Sequence, residues 1–339
     1  MERLIQANGQ PHYGIFPAAP GEVNWRDFDF RSPMGRRLGA LAKWRRFHQF
    51  QYFGLVSDEL IGGCALADIS LLTAGFVYLF HPASGRMIER EFKRPLGHAT
   101  RFSQQPNDGL CELRSGANLL RLDNRGSDKH LLVELDDGTR IEASFSEQQF
   151  QPMCICTPTA VNGWVYAQKV AGVRCRGSVS SALGDFDLTA LNAFAHHDWS
   201  AGYMRPETFW NWACLSGEVK GVRVGLNLSC GVNETSFSEN CYWLDGELLQ
   251  VGGVHFQFNR DEPLQPWRIV SGDGQVELEF RGHGLHREQL NLGLLASNFK
   301  QVFGCFQGVL RPPGRAPVPT SGVVSYLMAL PSTDETPVV

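Results

Sequence analysis

Leu131-Leu132-Val133-Glu134-Leu135-Asp136-Asp137-Gly138-Thr139-Arg140-Ile141-Glu142-Ala143-Ser144-Phe145 places two short apolar runs on either side of an Asp-Gly pair. Asp-Gly supplies the positive φ angles of a tight primed turn, so the stretch reads as an antiparallel hairpin. The device recurs at Cys241 to Leu244, Asp245-Gly246 and Glu247 to Val251, and Gly272-Asp273-Gly274 marks a third turn. From Gln51 onward, period-two alternation or short apolar runs are broken in this way, with 36 glycines and 18 prolines as the punctuation. No stretch after Gln51 keeps a 3.6-residue period, and Gly62-Gly63 and Gly252-Gly253 do not precede a helix. Parallel βαβ units and glycine-rich phosphate sites are therefore not expected.

Counting the runs gives roughly eight or nine strands on each side of a break near residues 180 to 190, the spacing of barrels or sandwiches. The expected fold is all-β: two consecutive antiparallel β-barrels or curved sheets, with short helices only. Residues 1–50 read as an extended, aromatic-rich segment with a short helix, 51–183 as the first barrel, 184–332 as the second and 333–339 as a flexible tail. Ser32-Pro33 is expected to open the helix, with Met34, Leu38 and Leu41 at helical spacing and an end near Trp44.

Composition narrows the function. The 339 residues are 43% hydrophobic and 19% charged, which is globular and sufficient for two cores. A formal net charge of -4 gives no footprint for a polyanion, so nucleic acid is not an expected partner. Met1 to Gly21 has no apolar core of signal-peptide length, and no later apolar run is long enough for a transmembrane segment; the expected location is cytoplasmic. Arg36, Arg37, Lys43, Arg45 and Arg46 on the short helix read as a solvated basic face, or as one that attracts anionic lipid head groups in peripheral membrane contact. Nine scattered cysteines fit buried thiols in a reducing compartment. Cys154 and Cys156 share a strand face without histidines at metal spacing, and no nucleophile elbow appears, so neither metal nor cofactor is expected.

Chemistry concentrates in His196-His197-Asp198-Trp199-Ser200-Ala201-Gly202-Tyr203-Met204-Arg205-Pro206-Glu207-Thr208-Phe209-Trp210-Asn211-Trp212. If Phe209 to Leu215 is a strand, Trp210, Trp212 and Cys214 share one face and Asn211 and Ala213 the other. In the next strand Val222, Val224, Leu226 and Leu228 face a core, with Arg223, Asn227 and Ser229 opposite. Burial among tryptophans would raise the Asp198 carboxyl and let it donate a proton with His197 as its partner. The competing reading is that Asp198 caps a turn. Trp199, Tyr203, Arg205, Trp210, Trp212, Asn227 and Asn240 are the expected ligand contacts, Arg205 and Tyr203 for an acidic head group and the indoles for an apolar body.

Asp198-Trp199-Ser200-Ala201-Gly202, Thr208-Phe209-Trp210-Asn211-Trp212-Ala213 and Gly225-Leu226-Asn227-Leu228 together resemble the core signature of the bacterial DUF 2804 family. Tyr13-Gly14, Asn24-Trp25, Glu239-Asn240, Pro266-Trp267 and Gln301 to Gly308 extend the resemblance over nearly the whole chain. The chain departs from the family form at Trp199 and Arg205. More remotely, the architecture resembles two-barrel, lipocalin-like proteins that include carotenoid hydratases and pericyclic cyclases. That resemblance implies an apolar ligand and, in the hydratases, a carboxylic acid that protonates a double bond. Two function classes follow. One is binding of a hydrophobic or amphipathic small molecule (lipid, isoprenoid or fatty-acid-like) in a barrel or between domains. The other is a cofactor-independent hydratase, isomerase or cyclase acting on such a ligand, with Asp198 as general acid.

Overall fold

The computed structural model describes residues 1–205, 210–231, 235–291, 296–320 and 323–329. Pro206, Glu207, Thr208, Phe209 and the expected tail lie outside the described residues. Within them the chain forms three antiparallel sheets and one short α-helix, Ala40–Arg46. The first sheet runs Gly14–Phe16, Met153–Thr159, Gly163–Arg174, Phe194–Gly202, His48–Val56, Ile61–Asp68, Leu72–His81 and Arg86–Pro95. The second is a seven-stranded meander from Thr100–Arg101 to Gly184–Asp187, and the third gathers the strands from Asn211–Val219 to Val323–Ala329. The alternation thus yields the expected all-β fold, as curved sheets: among the described residues no sheet closes on itself.

The turns explain where sequence and structure part. Asp245 and Gly246 both have positive φ, 50° and 94°, as a primed two-residue turn requires. At Asp137-Gly138 only Gly138 is left-handed; its N–H bonds the Leu135 carbonyl and Leu135 N–H bonds the Thr139 carbonyl, giving a longer loop with a glycine bulge. Gly272-Asp273-Gly274 joins Trp267–Ser271 to Val276–Asn291 as expected. Ser32-Pro33 opens a turn instead of the helix: Ser32 Oγ accepts the Arg36 N–H at 3.2 Å, and the helix begins only at Ala40. The break expected at 183/184 is a hairpin inside the second sheet, because Arg176–Ser181 pairs with Gly184–Asp187 there. Phe194–Gly202 still belongs to the first sheet, and the chain passes to the third between Gly202 and Asn211.

His48–Val56 is buried at almost every position, the mark of a strand covered on both faces. Its odd residues meet the second sheet: Gln51 bonds Asn124, and the rings of Phe53 and Phe145 lie 5.0 Å apart. Its even residues meet the third, where Tyr52 packs edge-on to Trp212 at 6.2 Å. The third sheet keeps a separate core of Leu215, Val224, Leu226, Leu228, Trp267, Ile269 and Phe280. The expected alternation of the Val222–Cys230 strand is therefore seen, with Val224, Leu226 and Leu228 inward.

First and third sheets touch backbone to backbone. Gly172 sits at a bulge with φ 81°, its N–H bonded to Ser216 Oγ at 2.9 Å, and a Cβ added at Gly225 would stand 2.1 Å from the Ala171 carbonyl oxygen. No rotamer relieves a clash between Cβ and main chain, so Gly225→Ala is expected to destabilise the fold by about 1–3 kcal/mol or more. Gly253→Ala, with nothing within 4 Å of the new carbon, serves as the neutral reference. Urea denaturation measures both, and equal midpoints would rule out a tight junction here.

Candidate functional site

The site follows from strand alternation applied to Phe194–Gly202. Asp198 pairs in register with Tyr52, Tyr52 with Ala65 and Ala65 with Phe76, while Lys169 flanks Asp198 on the other side. One row along, His196, Gly54, Gly63 and Tyr78 are aligned. Side chains in these rows share the face turned to the third sheet. Tyr52 and Tyr78 bring their hydroxyls to 2.6 Å, and Gln301 Nε2 donates to the Tyr78 hydroxyl at 2.5 Å from the third sheet. Gly63 makes room for this pair, since a Cβ there would lie 2.3 Å from the Tyr52 hydroxyl oxygen. The His196 ring stacks on Tyr52 at 5.5 Å and meets Trp212 at 6.2 Å.

Lys169 is the centre of the charged part. Its Nζ lies 3.2 Å from Asp198 Oδ2 and 2.8 Å from Glu239 Oε1, all three side chains being buried. The ammonium also stands 5.1 Å from the Trp212 ring centroid, within cation–π reach. Trp212 Nε1–H donates to Asn227 Oδ1 at 2.6 Å, and Asn227 Nδ2 donates to the Glu239 carbonyl at 2.8 Å, which fixes the indole and the acidic residue together. Ser200 Oγ donates to Asp198 Oδ1 at 2.6 Å.

Two carboxylates here share one cation away from water. Burial pushes the Asp198 carboxyl up; Lys169 pulls it down and Glu239 pushes it up again, leaving it above the usual range. For Lys169 burial opposes the charge, but Asp198 and Glu239 outweigh it and hold the ammonium above its usual value. Burial brings His196 down to about 3, so its ring is neutral at physiological pH. The arrangement sets a carboxyl raised by burial beside aromatic faces, with one ammonium between two acidic side chains.

The remaining expected site residues divide by the same alternation. Asp198, Trp212 and Asn227 are brought together. His197 and Trp199 point to the opposite face of the sheet, as adjacent strand residues must. Trp199 packs on Tyr166, centroids 5.8 Å apart, and Tyr203 joins Trp25, Phe28, Phe30 and Trp164 under the N-terminal segment, its hydroxyl donating to the Trp25 carbonyl at 3.2 Å. Tyr203 is thus not part of a head-group clamp with Asp198. Arg205 donates to the Gly231 carbonyl, and half-buried Trp210 packs against the core that contains Trp212. Trp212 itself faces the first sheet, away from the core of the third. Asn240 braces the backbone, since its Oδ1 accepts the Ser229 N–H at 2.6 Å and its Nδ2 donates to the Gly252 carbonyl at 3.2 Å.

Lys169 and Glu239 escaped the sequence reading, although a lone lysine inside Gly163–Arg174, buried at eleven successive positions, is a signal that a partner must exist. Among the described residues no group of three or more His, Cys, Asp or Glu is placed to hold a metal ion, and no helix is long and apolar enough to cross a membrane. The nine cysteines are free thiols, each at least partly buried. Two open pockets, of about 890 and 440 Å³, lie elsewhere, under the N-terminal segment and near Arg174 and Arg223.

A family model described as a domain of unknown function, DUF2804, matches residues 4–326. The chain belongs to the DUF2804 family. Among solved structures, this DUF2804 protein is similar to kievitone hydratase from Nectria haematococca, with 10% identity, 84% of this chain and 89% of that one covered, and a TM-score of 0.54. It is also similar to CghA, with 9% identity, 99% and 98% coverage and a TM-score of 0.56. A second structure of CghA, with Sch210972, gives 9% identity, 86% and 90% coverage and a TM-score of 0.55. At these identities the likeness is one of fold. No curated protein matches the chain in sequence.

The electrostatics of the triad can be tested by removing its cation. Replacing Lys169 by Met leaves two buried carboxylates without their ammonium partner, at an expected cost of about 3–5 kcal/mol near pH 8. Without the pull of Lys169 the Asp198 carboxyl gains its proton more readily in the folded state, so the deficit shrinks on acidification; a deficit equal at about pH 5 and pH 8 in thermal melts would contradict the triad.

On the opposite face, Gln51 Nε2 lies 3.0 Å from His197 Nε2, and Glu147 stands 3.7 Å from His197 Nδ1 and 3.8 Å from Lys129. Burial lifts Glu147 to about 7, only partly offset by Lys129. A raised acid contributes stability that is present below its unfolded value and lost as pH rises through about 7. His196 and His48, lowered by burial to about 3 and about 4, do the reverse, losing stability below pH 6.5. Glu147→Gln therefore steepens the loss of stability on acidification by about 1.4 kcal/mol per pH unit between the two carboxyl values. Stability–pH curves of variant and wild type that run parallel would show that Glu147 does not hold this proton.

Proposed function

We propose that this DUF2804 protein is a cofactor-independent enzyme of the hydratase, isomerase or cyclase type, acting on a hydrophobic or amphipathic small molecule at the junction of the first and third sheets. The observation that carries the reading is the buried Asp198–Lys169–Glu239 triad set against Trp212. Asp198, whose carboxyl is raised by burial while Lys169 and Glu239 oppose one another, donates its proton to a carbon–carbon double bond or enol of the ligand. The positive charge that develops faces the π surface of Trp212 and the Tyr52–Tyr78 pair, while the carboxylate left behind is stabilised by Lys169 and Ser200. In a hydration, water then adds to the cation and returns a proton to Asp198, so that the elements of water enter the ligand and the acid is regenerated. In an isomerisation the ligand loses a proton from a neighbouring carbon instead. Lys169 acts through Asp198 and is a positioning residue. Asn227 fixes the indole.

The fold shared with kievitone hydratase supports this reading as analogy only. The test starts from protein purified from its native host, examined by native mass spectrometry for a retained small molecule. That compound, extracted and returned to enzyme in deuterium oxide, is expected to gain one carbon-bound deuterium with wild type and none with Asp198→Asn, whose folded structure is unchanged by circular dichroism. Turnover by Asp198→Asn at the wild-type rate would remove the acid from Asp198. A compound that is retained but returned unaltered by wild type would make the protein a carrier.

A further inference from the structure

We propose that the surface formed by helix Ala40–Arg46, the turn at Ser70-Leu71 and the loop around Leu96 docks on an anionic lipid bilayer. Three apolar side chains project there: Leu41, Leu71 and Leu96 are 70%, 53% and 69% exposed. The segments that carry them are tied into one surface. Ser70 Oγ donates to the Trp44 carbonyl at 2.5 Å, one helical turn beyond Leu41, and Leu96 N–H donates to the Leu71 carbonyl at 2.9 Å. Single exposed leucines are ordinary on a soluble protein; three on adjoining segments require a reason.

The backbone supplies a second observation. Ser70, Leu96 and Ala99 all lie in the left-handed region, with φ of 70°, 53° and 57°. A bulky residue such as leucine is an outlier there, and an outlier that raises an apolar side chain into solvent is held for something other than packing.

Charge is the third. Arg45, Arg46, Arg94 and Arg101 flank the leucines on the same segments, and among the described residues none of them has a carboxylate at ion-pair distance; Arg94 Nε donates to the Arg114 carbonyl at 3.0 Å. Several arginines elsewhere are ion-paired, among them Arg121 to Glu112 at 2.6 Å, Arg125 to Asp123 at 2.6 Å and Arg174 to Glu218 at 2.6 Å. At the patch, the Asp68 carboxylate is engaged by the Ser70 N–H at 2.9 Å, and Lys93 pairs with Glu91 at 3.3 Å. Projecting leucines within a fringe of guanidinium groups that lack carboxylate partners match an anionic bilayer, where the apolar tips enter the acyl boundary and the forks meet lipid phosphates. The patch adjoins the end of the first sheet at which Gly202 pairs with His48, four residues from the Asp198–Tyr52 pair, so docking would bring the proposed site near a lipid reservoir. The docking itself does not rest on the chemistry assigned to Asp198.

Sedimentation of the full chain with phosphatidylcholine vesicles, with and without about one quarter phosphatidylglycerol, tests it. Wild type is expected to pellet with the anionic vesicles and to stay in solution with phosphatidylcholine alone. Arg45→Glu/Arg46→Glu and Leu71→Ser/Leu96→Ser are each expected to lower the partition coefficient at least about tenfold with unchanged circular dichroism, since all four side chains are exposed. Leu264→Ser, on an exposed residue of the third-sheet half, should bind as wild type. Wild type that stays in solution with anionic vesicles overturns the proposal, as do patch variants that pellet like wild type. So does a wild-type dimer by light scattering that the leucine variant converts to monomer, which assigns the face to a second copy.

Discussion

The central strands of the first sheet are packed on both faces. One side is closed by the second sheet and the N-terminal aromatic cluster, the other by the third sheet, and the backbone contact of Gly172 with Gly225 leaves no room for a solvent layer at that point. Polar side chains on these strands must find partners inside the protein, within the sheet or across a layer boundary, because an unsatisfied buried group costs more than a made bond gains. Two separate polar systems result from that one constraint. Gln51, His197, Asn124, Glu147 and Lys129 connect the first sheet to the second. Lys169, Asp198, Glu239, Trp212 and Asn227 connect it to the third.

The second system holds an imbalance that the first part of the chain cannot relieve. Lys169 and Asp198 alone would be a neutral pair with its proton inventory settled. Glu239, delivered by the segment that leads into Cys241–Leu244, adds a negative charge and with it a reason for one acid to keep a proton. The chemistry proposed here therefore depends on the two halves being docked, since each half alone lacks a member of the triad. Glu239 counters the pull of Lys169 on the Asp198 carboxyl, which is the effect the proposed acid role requires.

Much of the fold was legible because period-two alternation and Asp-Gly turns are local signals, and both hairpins at Gly138 and Gly246 lie where the residues place them. The passage between sheets was not legible: Gly184 makes an ordinary hairpin, while the changeover after Gly202 lacks the Asp-Gly pair that marks the hairpins at Gly138 and Gly246. The site was half legible. Alternation within Phe194–Gly202 separates Asp198 from His197 and Trp199, so a run of sequence that looked like one site is divided between two faces. Lys169 and Glu239 are distant in sequence from Asp198 and from each other, and no short motif joins them. Gly63 and Gly225 are conspicuous only once the neighbour that would strike their side chain is known.

Everything proposed for the triad depends on an Asp198 carboxyl raised above the ordinary aspartate range by burial, against the pull of Lys169 and with the push of Glu239. Carbon-13 NMR of protein labelled at aspartate carboxyl carbons, with the Asp198 signal assigned through Asp198→Asn, measures that proton. The expected titration lies above the usual aspartate value and moves down in Glu239→Gln, where the second negative charge is gone. An Asp198 signal that titrates at or below the usual value, and does not respond to Glu239→Gln, would refute the shared proton.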